Sequence, residues 1–313
     1  MEKGLVIKST GSWYHVKSQS GDVTQCKIRG KFRMKGIKTT NPVSVGDYVD
    51  YKIDEKIGFG IISHIYPRKN YIIRKSINLS KRAHILAANV DQAVLLVTLV
   101  KPKTYPQFID RFLVSAQAYS IPAKLIFNKI DLYDSDTLDH MKRLIYIYES
   151  IGYECFSISA KRNEGVNLIA SLLSHKISVI AGHSGVGKST LINTIDPNLD
   201  LRTNDISDMH DSGMHTTTYP EMHSIGNEGY IIDTPGIKGF GVIDIEKEEI
   251  SHYFPEMFAV LKECQYYNCT HSHEPNCAVK QAVEDGDISE TRYASYISLL
   301  EGDDDEKFRP VGY

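Results

Sequence analysis

The chain has 313 residues, of which 42% are hydrophobic and 24% are charged, with a formal net charge of -3. This length exceeds one average domain, and the composition is that of a globular protein rather than a disordered one. No apolar run is long enough to cross a bilayer, and the first residues, MEKGLVIKST, lack the pattern of a secretory signal. We therefore expect a cytoplasmic protein without a membrane partner.

Charge is distributed unevenly along the chain. Residues 1–70 contain 13 Lys or Arg against 6 Asp or Glu, a net of +7, whereas residues 244–313 contain 6 against 16, a net of -10. A basic N-terminal segment favours a polyanionic partner.

Residues 1–68 contain five short β-rich runs separated by Gly and Asn-Pro: GLVIKS, WYHVKS, QCKIRGKF, DYVDYKI and FGIISHIY. Five such strands predict a small barrel of the OB type, which commonly binds oligonucleotides. The period of two along a strand places five cations on one face, namely Lys27, Arg29, Lys31, Arg33 and Lys35. Because a phosphate backbone would relieve their mutual repulsion, we predict that they contact RNA; a solvated strand face is the alternative.

The middle of the chain predicts an α/β fold. VDQAVLLVTLV (90–100) and AKLIFNKIDL (123–132) read as buried parallel strands, and helical spacing lies between them. After the second strand comes NKID, residues Asn128, Lys129, Ile130 and Asp131. The carboxylate of Asp131 can accept from two donors of guanine that adenine lacks, which selects GTP over ATP. NKID alone is also compatible with an exposed turn that opens a helix. A second loop, Ser159, Ala160 and Lys161, can present a backbone N–H to the guanine carbonyl, and this signal by itself is weaker than NKID.

The stretch IAGHSGVGKSTLIN (180–193) matches the phosphate loop G-x-x-x-x-G-K-[ST] between a strand and a helix. The predicted nucleotide contacts are Gly182, His183, Ser184, Gly185, Val186, Gly187, Lys188, Ser189 and Thr190. Glycines let backbone N–H groups approach the phosphates, Lys188 bridges the β- and γ-phosphates as a catalytic residue, and Ser189 binds Mg²⁺.

Two further segments complete a GTPase. In GYIIDTPG, Asp233 would contact Mg²⁺ through water and the N–H of Gly236 would sense the γ-phosphate. In DSGMHTTTYP we favour Thr217 as a direct Mg²⁺ ligand, with Thr216 as the alternative. Ile237 stands where signalling GTPases carry a water-orienting glutamine, so we predict that His215 orients the water instead; a histidine that only packs in its loop is the alternative.

These parts occur in an unusual order, because NKID precedes the phosphate loop by just over fifty residues. Starting from residue 182 and returning to the beginning restores the usual GTPase order, which predicts a circular permutation. We expect an OB domain over 1–68, a permuted GTPase domain over 69–242 and a helical zinc-binding domain over 243–313.

Five cysteines are too few and too unevenly placed for a disulfide framework, and three of them cluster near the C-terminal end. Cys264, Cys269, His271 and Cys277 have the spacing C-x₄-C-x-H-x₅-C, which suits one tetrahedral, structural Zn²⁺. From spacing alone, His273 and His252 compete with His271.

The permuted order, GHSGVGKST, GMHTTT, DTPG, the basic barrel and the cysteine cluster together resemble the RsgA family of small ribosomal subunit biogenesis GTPases. The resemblance covers essentially the whole chain. It places the zinc ligand at His271 and supports His215, although that family more often has a basic residue where Met214 stands. It implies a GTPase that binds the small subunit and its 16S rRNA in the GTP state, hydrolyses GTP with Mg²⁺, and leaves with GDP. The sequence leaves the oligomeric state open, and we favour a monomer.

Two other functions compete with this interpretation. One is an RNA-binding module in which GTP is a structural ligand, which the intact Lys188, Ser189 and Asp233 disfavour. The other is an ATP-using P-loop enzyme, which Asp131 disfavours.

Overall fold

The computed structural model describes residues 1–28, 42–54, 57–75, 83–199, 220–226, 228–233 and 245–302. The chain divides into two compact units, the first formed by residues 1–93, 167–180 and 192–237, and the second by residues 94–166, 181–191 and 238–313. None of the helices within the described ranges combines the length and the apolar composition that a membrane span requires.

The described residues form thirteen strands and seven α-helices. The strands are β1 (Glu2–Ser9), β2 (Tyr14–Ser18), β3 (Val23–Ile28), β4 (Tyr48–Asp54), β5 (Phe59–Ile65), β6 (Tyr71–Lys75), β7 (Ala83–Ala88), β8 (Gln92–Val97), β9 (Ala123–Phe127), β10 (Glu154–Ser157), β11 (Ile177–Ala181), β12 (Glu221–Ile225) and β13 (Gly229–Asp233). The helices are α1 (Pro106–Ala118), α2 (Ser135–Ser150), α3 (Val166–Leu173), α4 (Lys188–Ile195), α5 (Pro255–Val260), α6 (Ala278–Glu284) and α7 (Glu290–Glu301). Short 3₁₀ helices cover Ile130–Leu132, Pro197–Leu199, Lys247–Tyr253 and Leu261–Glu263.

The first five strands close into a barrel. Their order is β1-β2-β3-β5-β4, and β4 pairs again with β1, so the ring has no free edge. All neighbours are antiparallel except β3 and β5. The strands alternate inward and outward, and the interior contains Val6, Tyr14, Val16, Cys26, Val43, Val49, Tyr51 and Ile62. This is the five-stranded barrel that the sequence predicts.

Further strands extend the first unit beyond the barrel. β11 and β13 are parallel, β13 and β12 are antiparallel, and β12 pairs with β1 at Lys8 and Glu221. An ion pair of 2.8 Å joins the side chains of these two residues. β6 and β7 form a separate antiparallel hairpin.

The second unit contains the strands and helices that carry NKID, and also residues 181–191, which include the phosphate loop. β10 and β9 are parallel, and β9 neighbours β8. Every residue of β8 is buried, as the apolar run over residues 93–97 predicts. α1 begins with Pro106 at its first position, where the missing N–H is not needed. α2 is capped by Asp134, whose carboxylate accepts from the N–H of Thr137 at 2.9 Å.

The C-terminal segment is more broken than its helical spacing predicts. Pro255 ends the 3₁₀ helix Lys247–Tyr253 and starts α5, because proline disfavours a helical residue before it. Gly286, at φ +84°, separates α6 from α7. These short helices bury a common core, which includes Phe254, Met257, Val279 and Tyr296.

Candidate nucleotide and metal sites

The phosphate-loop motif lies between the end of β11 and the start of α4. Its three glycines have positive φ values, +141° at Gly182, +77° at Gly185 and +98° at Gly187. A Cβ atom at Gly182 would lie 2.6 Å from the carbonyl oxygen of Leu96, so both the backbone conformation and the close approach require glycine there.

The lysine of the loop folds back over its own backbone. The Nζ of Lys188 donates to the carbonyl oxygens of Gly182 at 2.7 Å and His183 at 2.8 Å. This places the ammonium group inside the curve of the loop, where a phosphate would meet it. Ser189 follows on the first turn of α4 and is buried.

Asn128 joins three segments that are far apart in the sequence. Its Nδ2 donates to the carbonyl oxygen of Val186 in the phosphate loop at 2.8 Å, and its Oδ1 accepts from the N–H of Ala160 at 3.0 Å. The side chain is buried, and a Cβ at Gly187 would lie 2.5 Å from its Nδ2. NKID, SAK and the phosphate loop therefore meet at this one amide.

Lys129 contributes a second connection to the phosphate loop. Its Nζ donates to the carbonyl oxygens of Gly185 at 2.5 Å and Lys101 at 2.6 Å. Burial lowers the pKa of Lys129, and the negative charge of Asp131 opposes that shift. Lys129 has the left-handed backbone conformation, φ +63°, that turns the chain into the 3₁₀ helix containing Ile130 and Asp131.

The predicted guanine-reading carboxylate is fixed by the neighbouring loop. The Oγ of Ser159 donates to Oδ1 of Asp131 at 2.6 Å, and Ser159 is fully buried. Lys161, in contrast, is exposed. The hydroxyl of Ser159 thus restrains the carboxylate, a role that the sequence did not reveal.

Tyr133 is a residue of this site that the sequence analysis missed. Its hydroxyl donates to the carbonyl oxygen of Asn128 at 2.8 Å and accepts from the N–H of Leu99 at 2.9 Å. Burial raises the pKa of Tyr133 to about 12, so the hydroxyl stays protonated. A tyrosine two residues after NKID carries no recognisable pattern, and only the fold shows its contacts.

Several predicted residues lie outside the part of the chain that the structure describes. They are Arg29, Lys31, Arg33, Lys35, His215, Thr216, Thr217 and Gly236, together with the side chain of Asp233. The backbone of Asp233 ends β13.

Four metal-ligating side chains gather in the C-terminal segment. The ligand atoms of Cys264, Cys269, His271 and Cys277 all lie within 4.8 Å of one another. The Nδ1 of His271 is 3.6 Å from the sulfur of Cys264 and 3.3 Å from that of Cys277. Tetrahedral Zn²⁺, with bonds of about 2.3 Å to sulfur and about 2.0 Å to nitrogen, separates such ligands by about 3.6 Å. The donor set and its spacing therefore fit zinc.

Neither of the two competing histidines belongs to this four-residue cluster. His273 is exposed and its Nδ1 lies 2.9 Å from the hydroxyl of Ser272, while His252 packs edge-on against Phe258. His271 is buried, at 2% exposure. The ligand loop is held by α7, because the hydroxyls of Tyr293 and Tyr296 donate to the carbonyl oxygens of His271 and Thr270 at 2.7 and 2.6 Å.

Comparison with known proteins assigns this combination of sites to a family. The model described as RsgA N-terminal domain matches residues 3–62, and the model described as RsgA GTPase matches residues 65–243. The chain belongs to the RsgA GTPase family. This membership confirms the resemblance inferred from the motifs and the prediction of a GTP-hydrolysing enzyme.

Individual RsgA proteins match over nearly their whole length. Small ribosomal subunit biogenesis GTPase RsgA 2 of Bacteroides thetaiotaomicron is 57% identical over 307 residues, which is 98% of this chain and 99% of the relative. The RsgA of Flavobacterium johnsoniae is 53% identical, covering 96% of this chain and 94% of its own.

Two solved structures share the fold. YjeQ from Thermotoga maritima has a TM-score of 0.79 and 37% identity, covering 96% of this chain and 98% of its own. YloQ, described as a circularly permuted GTPase, has a TM-score of 0.74 and 33% identity, covering 100% of this chain and 97% of its own. The predicted fold class, a permuted GTPase with an N-terminal barrel, is thereby confirmed.

Proposed function

We propose that this chain is a GTPase of small ribosomal subunit maturation, which binds the subunit with GTP, hydrolyses the nucleotide there, and leaves with GDP. The relatives named above are small ribosomal subunit biogenesis GTPases. The observation that carries the proposal is the position of Asn128, which bonds to the phosphate loop and to the Ser159–Lys161 loop at once. A single guanine nucleotide would then contact both motifs.

Each part of the nucleotide has residues of suitable chemistry. The carboxylate of Asp131 accepts from the guanine edge, Lys129 covers the base, and Lys188 moves from the loop carbonyls to the phosphates. Ser189 and Thr217, with Asp233 through water, would hold Mg²⁺, which would supply positive charge to neutralise the phosphates.

Hydrolysis requires a group that orients water, and Ile237 has no such group. We assign this role to His215, and the sensing of the γ-phosphate to the N–H of Gly236. Because no glutamine follows the DxxG motif to orient water, we expect slow basal turnover, which the small subunit accelerates by bringing His215 to the attacking water.

The N-terminal barrel domain contacts 16S rRNA through Lys27 and through Arg29, Lys31, Arg33 and Lys35; of these five cations, the described part of the chain includes Lys27. The Nζ of Lys27 lies 4.1 Å from the ring centroid of Trp13 and 5.2 Å from that of Phe59. A cation beside partly exposed aromatic rings is suited to unpaired bases and their phosphates.

The Cys₃His cluster holds one structural Zn²⁺, because four protein ligands leave no position for a substrate. Elemental analysis should find one zinc ion per chain. Cys269→Ser should lower the zinc content, and no other metal should take its place. We further propose that the protein acts as a cytoplasmic monomer.

Co-sedimentation with separated ribosomal subunits tests the proposal. We expect binding to small but not large subunits with a non-hydrolysable GTP analogue, weak binding with GDP, and GTP turnover that rises when small subunits are added. Equal binding to both subunits, or turnover that small subunits leave unchanged, would contradict it.

A further inference from the structure

Helix α1 contacts the phosphate loop at its start and the C-terminal helices along one face. Phe108 lies in the first turn of α1. The centroid of its ring is 3.9 Å from that of the imidazole of His183, the residue after the first glycine of the phosphate loop. Asp110, two residues after Phe108, and Val114 share a face of α1 because they are four residues apart. Val114 belongs to the buried core of the C-terminal helices, with Phe254 and Tyr296.

That face of α1 is fixed by a buried ion network. The guanidinium of Arg292, from α7, donates to Oδ1 of Asp110 at 2.7 Å and reaches both oxygens of Glu256 at 2.7 and 3.1 Å. The hydroxyl of Tyr148 donates to the same Oδ1 of Asp110 at 2.9 Å. The side chains of Arg292 and Asp110 are 1% and 0% exposed.

A buried network of this kind permits one arrangement of the helices that form it. A charge that loses its partner away from water is strongly unfavourable, and the planar guanidinium satisfies two carboxylates only in a fixed orientation. Any shift or rotation of α1 would separate Asp110 from Arg292. The pair therefore determines where the first turn of α1, and with it Phe108, meets the phosphate loop.

We propose that Arg292 is a positioning residue for the nucleotide site: through Asp110 it fixes α1, and through Phe108 and His183 α1 fixes the start of the phosphate loop. The inference rests on the proposed function, in which this loop binds guanine nucleotides. The side chain of Arg292 forms its hydrogen bonds with Asp110 and Glu256, and the residue lies more than one hundred positions after the loop in the chain.

When the network is broken, we expect the phosphate loop to lose more conformational freedom on binding a nucleotide, which weakens binding. A loop that is already in its binding conformation loses less conformational freedom on binding. The loss of affinity should be similar for GDP and GTP, because His183 lies at the start of the loop and no contact to the γ-phosphate changes. Preference for guanine should persist, because Asp131 and Ser159 are not part of the network.

The test is a double-mutant cycle on affinity for a fluorescent methylanthraniloyl GDP. We expect Arg292→Met and Asp110→Asn each to weaken binding by about fivefold or more, the lower end of coupling between distant sites. The double variant should bind GDP no more weakly than the weaker-binding single variant, because each substitution already removes the ion pair between Arg292 and Asp110. Circular dichroism and zinc content establish that each variant is folded and keeps its metal.

A matched control is available in the first compact unit. Arg68 donates two hydrogen bonds of 2.6 Å to Asp47, and their side chains are 3% and 0% exposed. Arg68→Met should lower the melting temperature but leave GDP affinity within about twofold, because the pair of Arg68 and Asp47 positions no helix or strand that carries the phosphate loop.

Several results would overturn the inference. They are unchanged GDP affinity in folded Arg292→Met, equal weakening in Arg68→Met, or additive effects in the double variant. If Arg292→Met does not fold, Arg292→Lys keeps a charge but loses the fork that spans both carboxylates, and unchanged affinity there would equally refute it. Failure of the unmodified protein to bind GDP would instead refute the proposed function.

Discussion

Replacing Asn128 with alanine should weaken nucleotide binding without changing which base is preferred. The side chain makes two hydrogen bonds to backbone groups, 2.8 Å to the carbonyl oxygen of Val186 and 3.0 Å from the N–H of Ala160. Because Asn128 is 1% exposed, its removal leaves two backbone groups without these partners and separates the loops that flank the nucleotide.

The size of the effect follows from those two bonds. A buried polar group that loses its partner costs about 1–3 kcal/mol, and water that enters the opened site recovers part of this. We therefore expect a net loss of about 2–3 kcal/mol in binding free energy, or about 30- to 150-fold in Kd. GDP and GTP should be affected alike, since Asn128 braces the loops rather than contacting the γ-phosphate.

Fluorescence titration with methylanthraniloyl GDP and GTP measures this change, and competition with inosine and xanthosine nucleotides measures base preference. Asn70→Ala is a matched control, because the Asn70 amide also makes two backbone hydrogen bonds, both 2.8 Å and both to Val90, in the other compact unit. A Kd for Asn128→Ala within threefold of the unmodified protein, or an equal loss in Asn70→Ala, would refute the bracing role.

Three further predictions concern base reading, catalysis and the metal loop. Asp131→Asn should move preference from GTP toward xanthosine triphosphate, and unaltered base selectivity would remove Asp131 from the site. His215→Ala should slow GTP turnover on small subunits while sparing GTP affinity, and equal loss of both would indicate a structural role. Although burial opposes the shift, hydrogen bonds from Thr270 and Ser272 lower the pKa of Glu274 to about 2. The stabilisation by ionised Glu274 is thus complete above its usual pKa, near pH 4.5, and is lost as the pH falls toward 2. Glu274→Gln should lower the free energy of unfolding, measured by chemical denaturation, by about 1–2 kcal/mol at pH 7. If the variant is destabilised by the same amount near pH 2, the stabilisation does not come from the ionised carboxylate.

The sequence by itself determined the features that depend on local spacing. The phosphate loop, NKID and the Cys₃His pattern are recognisable because their chemistry needs fixed residue types a few positions apart. The permutation also follows from the sequence, since the order of motifs along the chain is visible without coordinates. The barrel strands follow from the period of two, because each residue of a strand faces either the core or the outside.

Only the tertiary structure decided which distant groups become partners. Nothing near Asn128 in the chain indicates that its amide bonds to Val186 and Ala160, and nothing near Asp110 indicates Arg292, which is 182 residues away. The hydrogen bonds of Tyr133 to Leu99 and Asn128 are equally hidden. Such pairs depend on the packing of separate helices and strands, and their strength comes from burial, which a linear pattern of residues does not encode.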